Sequence, residues 1–324
     1  MRIDEHWYRK SLWLWLLWPI SALFCLLVVL RRRFYRLGLL RSEKMPVPVI
    51  VVGNITVGGS GKTPLVLWLA QLLRQKGYRP GLISRGYGGE AAVWPQTVHA
   101  DSDPGAVGDE ALLLARRSDC PMVVGPDRVA AARQLLAEHD VNVILSDDGM
   151  QHYRLARDIE IAVLDGERRL ANGLCLPAGP LREPGARLKT VDFIVTNGDA
   201  GAGEWSMQLE AGEATALAGD ERRPLLAFSG APVHAVAGIG NPRRFFDMLR
   251  GLGLEPIEHP FPDHHPYGKT ELDFSDNAPV LMTEKDAVKY FDYAGKRHWY
   301  LPVNARLSDD FGESLLATLE KVDG

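Results

Sequence analysis

The chain has 324 residues, enough for two compact domains that each bury a core. Its formal net charge of −4 argues against a broad basic surface for nucleic acid, because duplex binding relies on neutralising phosphates with lysine and arginine. The cysteines Cys25, Cys120 and Cys175 form no C-x-x-C pair, which indicates a reducing compartment and no zinc site.

The first predicted element is a hydrophobic helix. Residues 11–30 read SLWLWLLWPISALFCLLVVL, 20 residues without a charge, and a helix of that length can cross a bilayer. Five arginines follow between positions 31 and 41, which by the positive-inside tendency places the rest of the chain on the cytoplasmic face. The alternatives are a cleaved signal peptide, which the position of these arginines disfavours, and a helix that lies against the protein or only dips into the bilayer. We expect residues 1–40 to form a membrane helix with a basic flank.

From residue 41 onward, apolar runs alternate with amphipathic helical patterns. VPVIVVGN, RPGLISRG, VNVILSDDG, DIEIAVLD and VDFIVTN are continuous β-branched runs, typical of a parallel sheet covered on both faces. They predict a doubly wound, mostly parallel α/β domain of the P-loop NTPase type over residues 41–220. The segments PLLAFSG, HAVAGIG, VLMTEKDAVKYF and HWYLPVN predict a second, smaller α/β domain over residues 221–324.

A glycine-rich turn joins the first strand of this domain to its first helix, in the string VIVVGNITVGGSGKTPLVLWLA. This is the context of a Walker A loop, whose backbone wraps around phosphates at a helix N-terminus. Lys62 is expected to contact the β- and γ-phosphates of ATP, and Thr63 to ligate Mg²⁺. The first glycine of the pattern is replaced by threonine. The predicted nucleotide-binding residues are Thr56, Val57, Gly58, Gly59, Ser60, Gly61, Lys62 and Thr63.

Two acids follow the predicted strand VNVIL. A parallel strand delivers Asp147 and Asp148 to the same sheet edge as the phosphate loop, where one of them is expected to hold Mg²⁺ directly or through water. The alternative is that these acids cap the following turn.

The chain lacks the motifs of several classes of phosphate-loop protein, which narrows the choice among them. The nearest string to a guanine-binding motif is TEKD at 283–286, with the wrong spacing, and no L-S-G-G-Q stretch of export ATPases is present. A small-molecule kinase is favoured. The alternatives are a membrane-tethered regulatory NTPase that hydrolyses ATP to drive a partner, and a nucleotide-binding assembly module.

Several motifs together resemble the tetraacyldisaccharide 4'-kinase family, the lipid A 4'-kinases of Gram-negative bacteria. They occur in order along nearly the whole chain: VGNITVGGSGKTP, SRGYGG, VGDEALLLA, DDGMQH, LPAGPLREP, AGIGNPRRFF, FPDHH and LMTEKDAVK. The resemblance implies transfer of the γ-phosphate of ATP, with Mg²⁺, to the 4'-hydroxyl of a tetraacylated glucosamine disaccharide 1-phosphate. It also implies the bacterial inner membrane as the location, because that acceptor lies in the bilayer.

The same resemblance implies roles for residues outside the phosphate loop. Asp109 in VGDEALL, assisted by His264 in PDHH, takes the proton of the acceptor hydroxyl, while Lys62 stabilises the transferred phosphate. From the residues alone, the favoured interpretation makes Asp109 and Glu110 acids in the first turn of a helix, and His264 a surface turn residue. Arg85, Arg182 and Glu183 are expected to bind the substrate, with a surface salt bridge between the last two as the alternative.

Overall fold

The computed structural model describes residues 7–8, 13–219 and 221–323, and within these ranges the strands form one sheet of nine strands and one of six. Helices cover both faces of the larger sheet. Counted over the described residues, the helices are α1 (Trp13–Arg36), α2 (Lys62–Gln75), α3 (Pro104–Val107), α4 (Asp109–Ser118), α5 (Arg128–Glu138), α6 (Pro242–Gly251), α7 (Glu284–Ala287) and α8 (Asp309–Asp323). Short 3₁₀ helices occupy Gly185–Thr190, Leu225–Phe228 and Phe291–Tyr293.

The larger sheet is parallel except at its two edges. Its strands are β1 (Val49–Gly53), β2 (Pro80–Ser84), β3 (Gln96–Val98), β4 (Met122–Val124), β5 (Val143–Asp147), β6 (Ile159–Asp165), β7 (Phe193–Asn197), β8 (Trp205–Ala211) and β15 (Val303–Arg306). In space they run β15, β8, β7, β6, β1, β5, β2, β4, β3, and only the outermost pairs β3–β4 and β15–β8 are antiparallel. The predicted mixed α/β architecture with a parallel sheet is confirmed.

The continuous apolar runs form the central strands because both faces of the sheet are buried. Every residue of β1 is buried, as are all five of β5. On one face, α2 contributes Leu65, Leu69 and Leu73, which recur every four residues and are fully buried. This packing fixes the start of α2, and with it the phosphate loop, against the carboxyl end of β1.

The smaller sheet is also mainly parallel. Its strands are β9 (Ala214–Ala216), β10 (Arg222–Arg223), β11 (Pro232–Ala237), β12 (Glu255–Pro260), β13 (Val280–Thr283) and β14 (His298–Leu301), in the spatial order β10, β9, β14, β13, β11, β12. Helix α6 packs on this sheet through Phe245, Phe246 and Leu249. The carboxyl end of β13 leads directly into α7, which reaches the first domain.

After completing the smaller sheet, the chain returns to the larger sheet. Strand β15 pairs with β8, and Phe311, Leu315 and Leu319 of α8 are fully buried in the core of the first domain. The expected division, with 221–324 as one unit, does not match this topology: β9 already belongs to the smaller sheet, whereas β15 and α8 belong to the larger one. The reason is that the apolar side of α8 fills the core beside α2.

One side of helix α1 packs against the first domain. Leu14 is buried, Ser21 Oγ donates a hydrogen bond to the carbonyl of Cys175, and Arg31 donates to the carbonyl of Gln151 at 3.2 Å. No helix within the described ranges is both long and apolar enough to cross a membrane. The predicted spanning helix over 11–30, whose first two residues lie outside the described ranges, is therefore not supported.

Candidate active site

A cavity of about 560 Å³ lies where the carboxyl ends of parallel strands from both sheets meet. The larger sheet contributes Ser84, Asp147 and Asn197 from the ends of β2, β5 and β7, and the smaller sheet contributes Thr283 from the end of β13. Ligands of α/β proteins commonly bind at this edge and between domains. The cavity is therefore the candidate active site.

The loop between β1 and α2 borders this cavity and is held by side-chain amides. Asn54 Nδ2 donates to the carbonyl of Gly58 and to Ser60 Oγ, each at 3.2 Å, and Asn197 Nδ2 donates to the carbonyl of Ser60 at 3.3 Å. Gly61 precedes α2 with a φ of 93°, and a Cβ there would lie 2.8 Å from Asn197 Nδ2. The first turn of α2 thus offers unpaired N–H groups beside the cavity, which suits a phosphate.

Thr56 replaces the first glycine of the phosphate-loop pattern without altering the part of the loop that borders the cavity. Its backbone forms an antiparallel bridge with Leu181. The positive φ angles of this loop fall at Gly58 and Gly61, so the position of Thr56 does not require glycine. The cavity wall includes Val57, Gly58, Gly59, Gly61, Lys62 and Thr63, while Thr56 and Ser60 are buried behind it.

The two predicted magnesium acids have different surroundings. Asp148 Oδ1 lies 3.4 Å from Lys62 Nζ, and Arg182 donates to Asp148 Oδ2 at 3.0 Å. Burial alone would raise the pKa of Asp148, but Lys62 and Arg182 outweigh it and lower that pKa. Asp147 is 3% exposed, and its Oδ1 is buried without a hydrogen-bond partner. Burial, followed by the charge of Glu110, raises the pKa of Asp147 to about 7.

A Mg²⁺ ion fits the donors at this point. The orphaned Oδ1 of Asp147 is a hard oxygen ligand, and Thr63 lies in the same cavity wall. Across the part of the chain that the structure describes, no three His, Cys, Asp or Glu side chains cluster in a way that could hold a metal. Magnesium sites in proteins commonly use one or two carboxylates and are completed by water and substrate phosphates.

Asp109 and His264 meet across the two domains. Asp109 begins α4 in the first domain, and His264 lies in the loop between β12 and β13 of the second. His264 Nδ1 is 3.0 Å from both Asp109 oxygens. His264 also packs on the ring of Tyr87, with centroids 4.9 Å apart. His264 lines the cavity, whereas Asp109 is 5% exposed and lies behind it.

Each partner shifts the pKa of the other. The hydrogen bond that His264 donates to Asp109 raises the pKa of His264 against the opposing effects of burial and Lys285. For Asp109, burial acts to raise the pKa, but the hydrogen bond with His264 and the charge of Lys285 lower it overall. The pair therefore combines an ionised carboxylate with an imidazole that titrates above its usual range.

The three predicted substrate-binding residues do not share one environment. Arg85 is exposed and lines the cavity, where it could meet an anionic group. Arg182 also lines the cavity but is bound to Asp148. Glu183 is 1% exposed and accepts hydrogen bonds from Gln151 and Tyr153, so a direct contact with substrate has no support in this geometry. Its carboxylate holds the loop that presents Arg182.

Sequence reasoning missed Lys285 and gave Glu110 only a helix-start role. Lys285 Nζ lies 3.0 Å from Glu110 Oε1 and 3.0 Å from Asp263 Oδ1, and all three residues line the cavity. The available signal was the position of TEKD directly after a strand, where parallel sheets place functional groups. The string was part of the family resemblance through LMTEKDAVK, but no role was predicted for its lysine.

Comparison with known proteins identifies relatives along nearly the whole chain. A family model described as tetraacyldisaccharide-1-P 4'-kinase matches residues 13–320. A tetraacyldisaccharide 4'-kinase of Nitrosococcus oceani is 56% identical over 319 residues, covering 98% of this chain and 94% of the relative. One from Alkalilimnicola ehrlichii is 55% identical over 305 residues, covering 94% and 92%.

A solved structure shares the fold. LpxK from Aquifex aeolicus, crystallised in an "apo" form in complex with ATP, superposes with a TM-score of 0.79 at 29% sequence identity, covering 95% of this chain and 100% of that one. Because the family model and these relatives span almost all of its length, this chain belongs to the tetraacyldisaccharide-1-P 4'-kinase family.

Proposed function

We propose that this protein transfers the γ-phosphate of ATP to the 4'-hydroxyl of a tetraacylated glucosamine disaccharide 1-phosphate, a step of lipid A biosynthesis. One observation carries the proposal: a single cavity is bordered by a phosphate-binding loop with Lys62 and, from the other domain, by His264 paired with Asp109. Family membership supports the choice of acceptor, and the ATP complex of the Aquifex aeolicus protein supports the choice of donor.

The reaction requires few groups. The acceptor oxygen bonds to the γ-phosphorus, the bond from that phosphorus to the bridging oxygen breaks, and ADP leaves with the electron pair. The hydroxyl proton passes to Nε2 of His264, the ring nitrogen not engaged by Asp109. Asp109 orients the ring and stabilises the imidazolium that forms, because its carboxylate is buried and lies against Nδ1.

Lys62 and the loop bind the phosphates of ATP. Lys62 begins α2, whose free N–H groups favour an anion, and its ammonium is preorganised by Asp148 at 3.4 Å. Asp148 is in turn held by Arg182 at 3.0 Å. A positive group that is fixed before reaction needs no reorganisation when charge develops on the transferred phosphate.

Asp147 and Thr63 would hold Mg²⁺, with Asp148 acting mainly through Lys62. When bound, the ion would neutralise charge on the phosphate oxygens. The division between the two acids rests on the free Oδ1 of Asp147 and on the two cations already bound to Asp148. Arg85, an exposed cation in the cavity wall, is left for an anionic group of a substrate.

The protein works at a membrane surface, the cytoplasmic face of the inner membrane, because its acceptor carries acyl chains. One side of α1 packs on the body, and the other exposes a stripe spaced every three or four residues. The stripe consists of Leu16, Ile20, Leu23, Leu27 and Leu30, which are 71%, 56%, 56%, 57% and 38% exposed. Arginines at the end of α1 suit anionic lipid headgroups. This arrangement favours insertion of one side of the helix into the headgroup region.

The test is an assay of the purified full chain with ATP and Mg²⁺, with and without the acylated disaccharide 1-phosphate. Acceptor-dependent phosphorylation is expected, together with loss of the reaction when the 4'-hydroxyl is already phosphorylated. ATP hydrolysis that ignores the acceptor would instead support the regulatory NTPase, and absence of both reactions would leave a nucleotide-binding module.

A further inference from the structure

Lys285 places a partly buried cation beside the imidazole of His264, the proposed proton acceptor. It is the second residue of α7, directly after β13, and its side chain is 15% exposed. Its Nζ lies 3.4 Å from His264 Nε2, 3.0 Å from Glu110 Oε1 and 3.0 Å from Asp263 Oδ1. Two segments, one from each domain, therefore converge on this ammonium group.

The contacts around His264 specify where its ring proton lies. An ionised carboxylate only accepts hydrogen bonds, so Nδ1, which is 3.0 Å from both oxygens of Asp109, carries the hydrogen. An ammonium only donates, so Nε2, which faces Lys285, presents its lone pair. Asp263 Oδ1 is 3.8 Å from Nε2 and would favour a proton there, but Lys285 is closer to that oxygen.

We infer that Lys285 is a positioning residue that keeps His264 in the neutral form, with hydrogen on Nδ1 and none on Nε2. The inference rests on the proposed function, since it says how the proton acceptor is made ready. An imidazole held against a buried carboxylate alone would favour the imidazolium, which has no lone pair to take a proton. A cation on its opposite edge counteracts that preference.

The remaining charges around the ring are consistent with this role. Asp109 faces it from α4 and Asp263 from its own loop, while Glu110 is the second carboxylate held by Lys285. Lys289 Nζ lies 3.9 Å from Asp109 Oδ2, on the carboxylate side of the pair. Because Lys285 is bound by two carboxylates, it is less available than Arg85 for a substrate phosphate.

The tautomer can be measured on the unaltered full-length protein. Two-bond ¹H–¹⁵N spectra of the imidazole distinguish the two neutral forms, and a His264→Gln variant assigns the His264 signals by their loss. We expect an unprotonated Nε2 and a protonated Nδ1 at the pH of maximal activity. Hydrogen on Nε2 with a bare Nδ1 would overturn the inference, whatever the acceptor of the kinase proves to be.

A second experiment measures the pH dependence of kcat/KM for the acceptor. Lys285→Met removes the cation and leaves the carboxylate of Asp263 near Nε2 without its ammonium partner, and both changes favour the imidazolium. The acid limb should therefore move to higher pH, with about a tenfold loss of rate below the limb for each pH unit of displacement. Lys285→Arg retains the charge and should keep the limb near its original position.

Lys296→Met is the matched control, because Lys296 is an exposed lysine of the same domain. It should leave the profile unchanged. A Lys285→Met enzyme that raises the KM for acceptor with an unshifted limb would make Lys285 a substrate contact and refute the positioning role. If Lys285→Met does not fold, the tautomer measurement on the unaltered protein decides.

Discussion

A sugar hydroxyl loses its proton only when the accepting group is both basic and unprotonated at the working pH. His264 satisfies the first condition through Asp109, whose hydrogen bond raises the pKa of the imidazole. Asp109 itself is a weak base, because His264 and Lys285 outweigh burial and lower its pKa. We therefore expect the imidazole to accept the proton and the carboxylate to orient the ring, the reverse of the order that the family resemblance implied.

The first residue-scale prediction concerns Asp109→Asn. The amide keeps the shape but loses the charge that raises the pKa of His264, so that pKa should fall and the acid limb of kcat/KM should move to lower pH. The wrong tautomer is also favoured, so kcat should decrease by about 100-fold or more. A pH profile from acidic to mildly alkaline buffer measures both effects.

Asp140→Asn is the control, since Asp140 is 83% exposed and pairs with Arg79 at the surface. It should leave the profile intact. If Asp109→Asn lowered kcat but left the acid limb where it was, the limb would not report His264, and the assignment of this histidine as proton acceptor would fail.

The second residue-scale prediction concerns Lys62→Ala. Removing the ammonium should lower kcat by about 100-fold or more, because a preorganised positive group at the transition state is commonly worth about 3 kcal/mol. The fold should persist, since Asp148 retains Arg182 as a partner. Turnover and a thermal melt are measured together. Lys76→Ala, at the exposed C-cap of the same helix, is the control, and normal turnover in folded Lys62→Ala would refute the phosphate-loop assignment.

The sequence predicted those site residues that belong to a short, continuous motif. The phosphate loop was recognised as a turn between a strand and a helix, and the acids Asp147 and Asp148 as residues at the end of a parallel strand. Both groups line the same cavity. Burial depth was not predictable in the same way. Glu183 is 1% exposed because it is bonded to Tyr153 and to Arg187, residues that the sequence does not link to it.

At the scale of elements, α1 shows that an apolar sequence predicts a helix but not how the helix lies relative to a membrane. The charge-free run predicted a helix, and α1 extends over Trp13–Arg36. Length and hydropathy alone do not state whether such a helix crosses a bilayer or lies on its surface, because that depends on which side packs on the protein. Here the contacts of Ser21 and Arg31 place one side against the first domain.

The element-scale prediction is that the exposed stripe of α1 anchors the protein to lipid. Replacing Leu16, Leu23 and Leu27 together by Gln removes apolar surface that would otherwise enter the headgroup region, so flotation with vesicles containing anionic phospholipid should fall severalfold. Kinase activity on a detergent-solubilised acceptor should change much less than activity on acceptor in vesicles.

The matched control replaces exposed apolar residues elsewhere. Leu226 and Val93 are 72% and 67% exposed and lie outside α1. Their replacement by Gln should leave flotation unchanged. Equal flotation of the α1 variant and the unaltered protein would show that another surface holds the membrane.

Strand β15 and helix α8 could not be placed from the sequence. VNAR has four residues and no strong apolar pattern, and its partner β8 is almost a hundred positions earlier in the chain. Such pairing is decided by long-range packing, above all the burial of Phe311 beside α2, and not by local propensity. The alternation of apolar runs with helical patterns predicted the two sheets. It did not predict the point at which the chain crosses between them.

For the whole molecule, catalysis depends on how the two domains meet. Arg117 of α4 pairs with Glu284 of α7 at 2.7 Å, and Arg244 of α6 donates to Asn197 of β7 at 3.0 Å. Asn197, Arg244 and Glu284 line the cavity together with His264. Clefts between domains commonly bind substrate and exclude water when they close. The contacts between the two domains therefore both shape the cavity and bring Asp109 to His264.

The whole-molecule prediction is that Asp109 and His264 act as one unit across the domain boundary. Asp109→Ala and His264→Ala should each lower kcat by about 100-fold or more, because each leaves the other without a partner in proton transfer. The double variant should lose far less than the product of the two, since the second substitution removes a group that is already ineffective. ATP affinity, measured by calorimetry, should change little because neither residue contacts the phosphate loop.

A second double variant provides the reference for independent effects. Arg306 is 75% exposed and pairs with Glu210 on the surface, so Asp109→Ala combined with Arg306→Ala should show losses that simply multiply. Full multiplication in the Asp109 and His264 double variant as well would mean that the two residues serve separate steps. The 3.0 Å contact between the domains would then be structural, and the proton of the acceptor would have to leave by another route.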